Sequence, residues 1–320
     1  MWKDGNVAAA HLEAKQDAFL GDCLHGLSQP QKSLPCKWLY DDRGSQLFEA
    51  ICSVPEYYPA RTEQRLLESA AHDLAGRIDS GTTLIELGSG ASRKTRLLLE
   101  TIAGIARYVP IDISVAELER ASRAIRRDYS GIVVTPVHAD FSHPRTLAMP
   151  HSDGPRFGFF PGSTIGNMAP AAAVLFLAEL RGALGEGAML LLGVDLLKDP
   201  AVIVPAYDDA AGITAAFNRN ILARMNRELG CGIDLAGFAH RAVWSAAQSR
   251  IEMHLVALFP QTIALGCEKI VFRAGETIHT ENSYKLPQVT LEEMFAEAGW
   301  TVEQRWRNDD PSFLLVLLHG

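Results

Sequence analysis

A short apolar run that ends in a glycine-rich turn constrains this chain more than any other feature. Residues 83–87 precede Gly88-Ser89-Gly90, and a helical pattern starts near Lys94. Strand, tight turn and helix N-terminus form the arrangement that lets a backbone approach a nucleotide-like ligand closely. Glycine suits the turn because a side chain would block the ligand and disfavour positive φ. An ordinary strand-to-helix turn looks the same, so the rest of the chain must decide.

Strand and helix patterns alternate around this turn. Strands are predicted at 83–87, 108–113, 132–138, 156–160 and 188–194, and capping boxes at 114–117 and 290–293 predict the starts of two helices. Alternation of this kind indicates a parallel sheet with helices on both faces, whose ligands lie beyond the carboxyl ends of the strands. Two later strands, 300–306 and 312–318, are close enough to form an antiparallel pair.

The alternation stops between about residue 196 and residue 286. A helical pattern and apolar runs at 242–245, 251–259 and 262–272 indicate an α+β insertion with antiparallel strands. We therefore predict an α/β domain formed by residues 61–195 and 287–320. A second α+β domain is predicted to combine residues 1–60 with residues 196–286.

Composition excludes several classes of protein. The net charge of −8 provides no general positive field, which argues against nucleic acid as a partner. The five cysteines are widely spaced and form no C-x-x-C, so we expect reduced thiols and no bound metal. No run has the length of a membrane span and the N-terminus lacks a signal-peptide core, so we expect a cytoplasmic protein.

Three ligands compete for the glycine turn. A phosphate-binding P-loop needs G-x-x-x-x-G-K-[ST], which Gly88 and Gly90 do not supply. A dinucleotide fingerprint needs a third glycine where this chain has Arg93, whose side chain would crowd the pyrophosphate. S-adenosylmethionine has no phosphate, so two glycines and room for the methionyl and ribose groups are sufficient. The glycine spacing therefore favours S-adenosylmethionine.

Acidic residues at the ends of the next two strands agree with that ligand. Asp112 can accept hydrogen bonds from both ribose hydroxyls, as acidic residues also do in dinucleotide-binding proteins. Asp140 and Phe141 offer a carboxylate and a flat ring to the adenine. Helix capping after a strand is the alternative role for Asp112 and Asp140. The terminal antiparallel strand pair is also typical of methyltransferases.

Several motifs, in order along most of the chain, resemble the L-histidine Nα-methyltransferase family of ergothioneine biosynthesis. The motifs are residues 37–41 (KWLYD), 55–59 (PEYYP), 86–90 (ELGSG) with Ser92, Lys94 and Thr95, 160–167 (FPGSTIGN), 207–209 (YDD) with 214–220 (TAAFNRN), and 280–285 (TENSYK). The resemblance implies a class I methyltransferase (Rossmann-like) sheet with a second, substrate-binding domain. It also implies trimethylation of the α-amino group of histidine to give hercynine, with S-adenosylmethionine as cofactor.

The resemblance assigns roles to individual residues. S-adenosylmethionine would be held by Tyr40, Gly88, Lys94, Asp112, Asp140 and Phe141. Histidine and its mono- and dimethyl forms would be held by Tyr57, Gly162, Asn167, Tyr207, Met253, Glu281 and Ser283. We name no catalytic base; Asn167, Gly162 and Tyr40 would orient the amine. The departures from the family pattern are mild, with Leu39 in place of an aromatic residue.

The chemistry of these residues suits a histidine ligand. Asn167 and Tyr207 offer uncharged donors to a carboxylate. Glu281 and Ser283 are two apart, so on an extended segment both point to the same face and can grip the two nitrogens of an imidazole. The carboxylate would also favour the protonated ring.

Alternative functions are left open at this stage. They are methylation of another amino acid or small amine by the same family, a dinucleotide-dependent dehydrogenase, and a non-catalytic binding module. We further expect a monomer without membrane contact.

Overall fold

The computed structural model describes residues 4–320, with side chains from Gln16 onwards. The helices are α1 (Asp4–Leu27), α2 (Asp42–Ile51), α3 (Tyr58–Ala75), α4 (Arg93–Thr101), α5 (Val115–Asp128), α6 (Pro170–Leu184), α7 (Pro200–Tyr207), α8 (Ile213–Leu229) and α9 (Gln288–Glu297). The strands are β1 (Lys32–Ser33), β2 (Thr82–Leu87), β3 (Ile105–Asp112), β4 (Val133–Val134), β5 (Val137–His138), β6 (Arg156–Phe160), β7 (Met189–Asp195), β8 (Phe238–Ser245), β9 (Arg250–Ala257), β10 (Gln261–Leu265), β11 (Glu268–Phe272), β12 (Thr277–Tyr284), β13 (Thr301–Asp309) and β14 (Ser312–His319).

The largest sheet has the strand order β13-β14-β7-β6-β2-β3-β4, and β5 also pairs with β3. The strands from β7 to β4 are parallel to their neighbours, whereas β14 runs antiparallel to both β7 and β13. An antiparallel strand inserted next to the parallel set is the topology of a class I methyltransferase sheet. The predicted α/β fold is confirmed.

Helices cover both faces of this sheet, which explains why its inner strands are apolar throughout. On β2, Leu84 packs with α3 and α4, while the adjacent Ile85 packs with α6 and α9 on the opposite face. The edge strand β13 instead alternates between exposed and partly buried residues, as expected where only one face is covered. The alternation of side chains along each strand therefore divides the core into two layers.

The chain divides into two compact units. The N-terminal unit comprises the described residues up to Val54, together with Val204–Ser245 and Ile251–Asn282. Within it, β1, β12, β9 and β8 form a four-stranded sheet, and β10 pairs with β11 in a hairpin. The central-sheet unit comprises Pro55–Ile203, Ala246–Arg250 and Ser283–Gly320. The predicted domain boundaries near residues 60, 195 and 286 differ from these divisions by four to eight residues.

Two local predictions are wrong for identifiable reasons. The strand predicted at 132–138 is broken into β4 and β5, because Pro136 has no N–H for the ladder. The run 262–272 has the predicted antiparallel character, as a hairpin in which Gly266 has φ 58° and allows a two-residue turn. The capping box at 290–293 does not form: α9 begins at Gln288 after Pro287, whose fixed φ starts the helix earlier. By contrast, Ser114 Oγ accepts a hydrogen bond from Glu117 N, which confirms the other capping box.

In the part of the chain that the structure describes, no helix combines the length and apolar character needed to cross a membrane.

The helix α6 offers a direct test of the core. Leu177 is fully buried, whereas Leu175 on the same helix is 67% exposed. We expect Leu177→Ala to lower the free energy of unfolding by about 3 kcal/mol, because it leaves a cavity against the sheet. Leu175→Ala should change it by less than about 0.5 kcal/mol. Urea unfolding of both variants checks this, and equal losses would contradict the described packing.

Candidate active site

The glycine turn after β2 is built by backbone conformations that favour glycine. Gly88 has φ 71° and Gly90 has φ 46°. The N–H groups of Gly88 and Ser89 both donate to Ile111 O, at 2.9 and 3.1 Å. These bonds tie the turn to the end of β3, so that Gly90 N also donates to Asp112 Oδ2 at 2.8 Å. The turn and the acidic strand end therefore form one rigid unit of backbone and carboxylate.

The surroundings of this turn suit a ligand that has both polar and flat apolar parts. Ser89 is 6% exposed, and its hydroxyl has no hydrogen-bond partner among the described residues. A side chain at Gly88 would meet the Phe141 ring at 3.2 Å, so the glycine and the ring lie in contact. An orphaned hydroxyl beside a flat ring fits S-adenosylmethionine, which combines a polar methionyl group with an aromatic base.

A buried acid fixes the helix that follows the turn. Tyr108 Oη donates to Glu86 Oε2, and Ser92 Oγ shares a hydrogen bond of 2.8 Å with Tyr108 Oη. Ser92 is the N-cap of α4 and has φ 52°. Burial raises the pKa of Glu86 to about 7 and raises the pKa of Tyr108 well above its usual value. The Glu86 carboxyl group, whose pKa is unusually high, therefore holds the loop that leads into α4 through Tyr108 and Ser92.

The two acidic residues predicted at the strand ends both organise their own loops. Asp112 accepts hydrogen bonds from Gly90 N and from Ser114 N, each at 2.8 Å, and burial raises its pKa. Asp140 Oδ1 accepts from Ser142 N at 2.9 Å. Each carboxylate oxygen has two lone pairs, so these bonds leave acceptor capacity for a ligand. Asp112 thus has the loop-capping role, with acceptor lone pairs left at the end of β3.

Glu63 on α3 joins two of the predicted ligand residues. Its carboxylate is fully buried, accepts hydrogen bonds from Gly162 N at 2.9 Å and forms a salt bridge with Lys94 Nζ. The fit is close, since a side chain at Gly193 would overlap Glu63 Oε1 at 1.7 Å. Lys94 was predicted to bind cofactor. Its ammonium is paired with the buried Glu63, the carboxylate that also accepts from Gly162 N.

A second buried carboxylate supports Ser283. Asp195, at the end of β7, accepts from Tyr58 Oη at 2.8 Å and forms a salt bridge of 2.9 Å with Lys285. Lys285 Nζ also donates to Ser283 Oγ at 2.9 Å. Asp195 N donates to Ser163 Oγ at 2.9 Å, beside Gly162. The network connects Ser283 to the loop after β6 and to the start of α3, which follows Tyr57.

The remaining predicted residues of the central-sheet unit occupy the ends of elements. Tyr57 is the N-cap of α3 and is 8% exposed. Asn167 ends the short helical turn Thr164–Asn167, and Gly162 precedes that turn with φ 80°. Tyr57 precedes Tyr58, whose hydroxyl donates to Asp195, and Gly162 N donates to Glu63. Asn167 ends the turn that follows Ser163, whose hydroxyl accepts from Asp195 N. The structure therefore places these residues on loops that buried carboxylates hold.

Within the N-terminal unit, Tyr40, Tyr207 and Glu281 influence one another. Burial raises the pKa of Tyr40 well above its usual value, and the nearby Glu281 and Tyr207 reinforce the shift. The Tyr40 ring makes an edge contact with Phe217 at 5.4 Å between centroids. Met253 is 2% exposed and its carbonyl accepts from Thr280 Oγ1 at 3.0 Å. This unit therefore presents a phenol and a carboxylate close together.

The sequence analysis missed the residues that support the site. These are Tyr58, Glu63, Ser89, Asp195 and Lys285. Tyr58 and Lys285 belong to quoted motifs, and Asp195 ends a predicted strand, so their positions were visible although their roles were not. The sequence contains one indication of the role of Glu63, because a glutamate occupies the apolar face of a predicted helix. Among the side chains from Gln16 onwards, no group of three or more His, Cys, Asp or Glu residues could hold a metal ion.

Comparison with known proteins identifies close relatives. Residues 19–320 match the family described as histidine-specific, S-adenosylmethionine-dependent methyltransferases. A histidine N-alpha-methyltransferase of Mycobacterium tuberculosis is 41% identical, covering 97% of this chain and 95% of the relative. The protein of the same name from Mycolicibacterium smegmatis is 42% identical, covering 98% and 97%. Ergothioneine biosynthesis protein 1 of Neurospora crassa is 30% identical over 86% of this chain and 32% of its own length.

Replacing the buried Glu63 should destabilise the chain. Glu63→Ala leaves the Lys94 ammonium and Gly162 N without their acceptor, so we expect the free energy of unfolding to fall by about 3 kcal/mol. Glu68→Ala, at an exposed position of the same helix, is the matched control and should cost less than about 0.5 kcal/mol. Chemical denaturation measures both, and a Glu63→Ala variant as stable as the control would contradict this role.

The raised pKa of Glu86 predicts a specific pH dependence. Above its usual pKa of 4.5 the unfolded chain releases this proton, whereas the folded chain retains it up to about pH 7. Stability contributed by Glu86 should therefore fall by about 2 kcal/mol between pH 5 and pH 7.5. Glu86→Gln, which cannot ionise, should lack this loss. Unfolding curves of both proteins at the two pH values test it; parallel pH profiles would refute the shift.

Proposed function

This chain belongs to the family of histidine-specific, S-adenosylmethionine-dependent methyltransferases, and we propose that it trimethylates the α-amino nitrogen of L-histidine to give hercynine. Two relatives of 41% and 42% identity over nearly the whole chain support the substrate. The Neurospora relative supports a role as the first step of ergothioneine biosynthesis. The sheet topology provides the fold for this chemistry.

Methyl transfer requires little chemistry from the protein itself. The cofactor supplies an electrophilic methyl group on a sulfonium, and a neutral amine attacks it in line. The main contribution of the chain is therefore to align the amine with the methyl group. Tyr40, Gly162 and Asn167 would orient the amine. The buried bonds of Glu63 to Gly162 N reduce the freedom of that loop, which favours a fixed alignment.

We propose that Gly88, Asp112, Asp140 and Phe141 hold the cofactor at the ends of β2, β3 and the segment after β5. The resemblance adds Tyr40, which follows the short helical turn Cys36–Leu39. Lys94 would contribute through its salt bridge with the buried carboxylate of Glu63. The observation that carries this proposal is the orphaned Ser89 hydroxyl within the glycine turn, beside the contact between Gly88 and Phe141.

The residues that would hold histidine are those that the resemblance assigns to it: Tyr57, Gly162, Asn167, Tyr207, Met253, Glu281 and Ser283. We propose that Asn167 and Tyr207 bind the substrate carboxylate. Glu281 and Ser283, on the same face of β12, would bind the two ring nitrogens. In domain terms, residues 61–195 and 287–320 would bind the cofactor, and residues 1–60 and 196–286 would supply substrate contacts.

Family membership leaves the dehydrogenase hypothesis without support. Methylation of another amino acid or small amine is the second candidate, because relatives of lower identity include N-methyltransferases named for other substrates. The monomeric state, the cytoplasmic location and the absence of a nucleic-acid partner stay predictions.

The reaction can be tested directly. The purified chain is incubated with S-adenosylmethionine and each of the twenty amino acids in turn. The masses of the products are then measured by mass spectrometry. We expect histidine alone to gain three methyl groups, because the ring contacts select imidazole. Methylation of a different amino acid would support the second candidate, and no methylation at all would overturn the proposal.

A substitution tests the role of Glu281. We expect Glu281→Ala to weaken histidine binding by about tenfold or more, the loss of one charge-assisted hydrogen bond, with little change in cofactor affinity. Glu268→Ala, at an exposed position on β11 of the same unit, is the control and should bind both ligands normally. Isothermal titration with histidine and with S-adenosylhomocysteine measures both affinities. Equal weakening of the two would count against the assigned role.

A further inference from the structure

A buried imidazole in the N-terminal unit bonds to the main chain of a predicted substrate residue. The side chain of His240, on β8, is 2% exposed. Its Nε2 lies 2.8 Å from the carbonyl oxygen of Tyr207, the last residue of α7. The last carbonyls of a helix have no partner within that helix, so they need donors from elsewhere. A carbonyl oxygen can only accept, so Nε2 carries a proton in this bond.

Asn218, on α8, determines which other form the ring can take. Its amide is fully buried, and Nδ2 lies 3.1 Å from His254 O. Only a donor can face a carbonyl oxygen, so this position belongs to the NH₂ group of the amide. The same NH₂ group faces Nδ1 of His240 at 2.9 Å. Nδ1 therefore accepts, and a neutral ring with its proton on Nε2 satisfies both bonds.

The groups around the ring agree with a neutral imidazole. Burial lowers the pKa of His240 below its usual value, against the opposing effect of the bond to Tyr207 O. The carboxylates of Asp208 and Asp209 also favour the protonated ring, whereas Arg219 disfavours it. Asp208 Oδ1 is 3.9 Å from Nε2, and its side chain is half-exposed, so water screens its charge. Desolvation prevails, which keeps the ring neutral at neutral pH.

The buried amide of Asn218 also joins two strands of the same unit. Its Oδ1 accepts a hydrogen bond of 2.6 Å from Thr280 Oγ1, on β12. That hydroxyl lies 3.0 Å from the carbonyl oxygen of Met253, on β9. Thr280 is the residue before Glu281 in the chain. Through the main chain, the amide and the imidazole thus connect to three residues predicted to bind histidine: Tyr207, Met253 and Glu281.

The connection between α7 and α8 is bound at its other end as well. Asp209 accepts hydrogen bonds from Ile213 N at 2.9 Å and from Thr214 N at 2.7 Å, at the start of α8. Asp209 therefore fixes the end of this connection to α8, and His240 fixes its beginning at Tyr207. A change at the imidazole would release the main chain on the side of Tyr207.

We propose that His240, held by Asn218 with its proton on Nε2, is a positioning residue that sets the main chain of Tyr207 for histidine binding. The proposal rests on the proposed function, because it takes Tyr207 as a substrate contact. It depends on the carbonyl of Tyr207 and on no particular state of the phenol. With the proton on Nδ1, the ring would lose its donor to Tyr207 and would direct an N–H at the NH₂ group of Asn218.

Two neutral substitutions separate the two ring nitrogens. The amide nitrogen of glutamine can take the place of Nε2, whereas that of asparagine takes the place of Nδ1. His240→Gln should therefore keep the donor to Tyr207 and bind L-histidine within about twofold of the wild type. His240→Asn removes that donor, and we expect histidine to bind about tenfold more weakly. Arg241→Ala, at the adjacent exposed position of β8, is the control and should bind histidine normally.

Calorimetric titration of the full chain measures these affinities. L-histidine is titrated into each protein saturated with S-adenosylhomocysteine, and S-adenosylhomocysteine is titrated separately. We expect the cofactor product to bind all variants within about twofold of the wild type, because the bonds of His240 lie within the N-terminal unit. A general loss of structure would weaken both ligands together.

The protonation of the ring provides a second, independent measurement. In the full chain with isotope-labelled histidine nitrogens, magnetic resonance distinguishes an N–H nitrogen from an unprotonated one by its chemical shift. The His240 signals are identified as those missing from His240→Gln. At pH 7.5 we expect Nε2 to carry the proton and Nδ1 to be unprotonated.

The possible results separate the hypotheses. The proposal is overturned if His240→Asn binds histidine as tightly as His240→Gln, if it weakens both ligands equally, or if His240 carries a proton on Nδ1. Should His240→Asn fail to fold, the ring protonation of the wild type and the histidine affinity of His240→Gln still decide the matter. Normal histidine binding by all variants defeats this inference alone. A wild-type chain that neither binds nor methylates histidine defeats the proposed function as well.

Discussion

The buried ion pair between Asp195 and Lys285 is the interaction on which the predicted substrate loops depend. Both side chains are fully buried, and removing an ion from water costs several kcal/mol even after relaxation. Such a pair persists only where further hydrogen bonds satisfy the remaining donors and acceptors. Here they come from Tyr58, Lys198 and Ser283. Electrostatic compensation therefore requires Tyr58 at the start of α3, Asp195 at the end of β7 and Lys285 to keep fixed positions.

Glu63 applies the same principle to the start of α4 and to the loop after β6. Its buried carboxylate joins Lys94, after the glycine turn, to Gly162 N, after β6. The loops at the carboxyl ends of parallel strands carry few backbone hydrogen bonds of their own. A buried carboxylate that binds groups from two such loops restrains them, as strand-to-strand hydrogen bonds do within the sheet. The small residue Gly193 on β7 is what leaves room for it. Rigid loops on rigid strands are what an aligned methyl transfer needs.

The sequence predicted well what depends on short separations. The alternation of strands and helices, the glycine turn and the capping box at Ser114 are local patterns, and the structure contains them. The family resemblance named the candidate ligand residues. The supporting contacts could not be predicted, because Glu63 lies 99 residues from Gly162 and Tyr58 lies 137 residues from Asp195. Local errors arose where one residue overrode a pattern, as Pro136 and Pro287 did.

The arrangement of charge also fits the reaction. Transfer of a methyl group from a sulfonium to a neutral amine moves one positive charge from sulfur to nitrogen without creating a new one. A site for this step gains little from strong fields and much from fixed dipoles. In the central-sheet unit Lys94 and Lys285 are both paired with buried carboxylates, and the Ser89 hydroxyl is buried without a hydrogen-bond partner among the described residues.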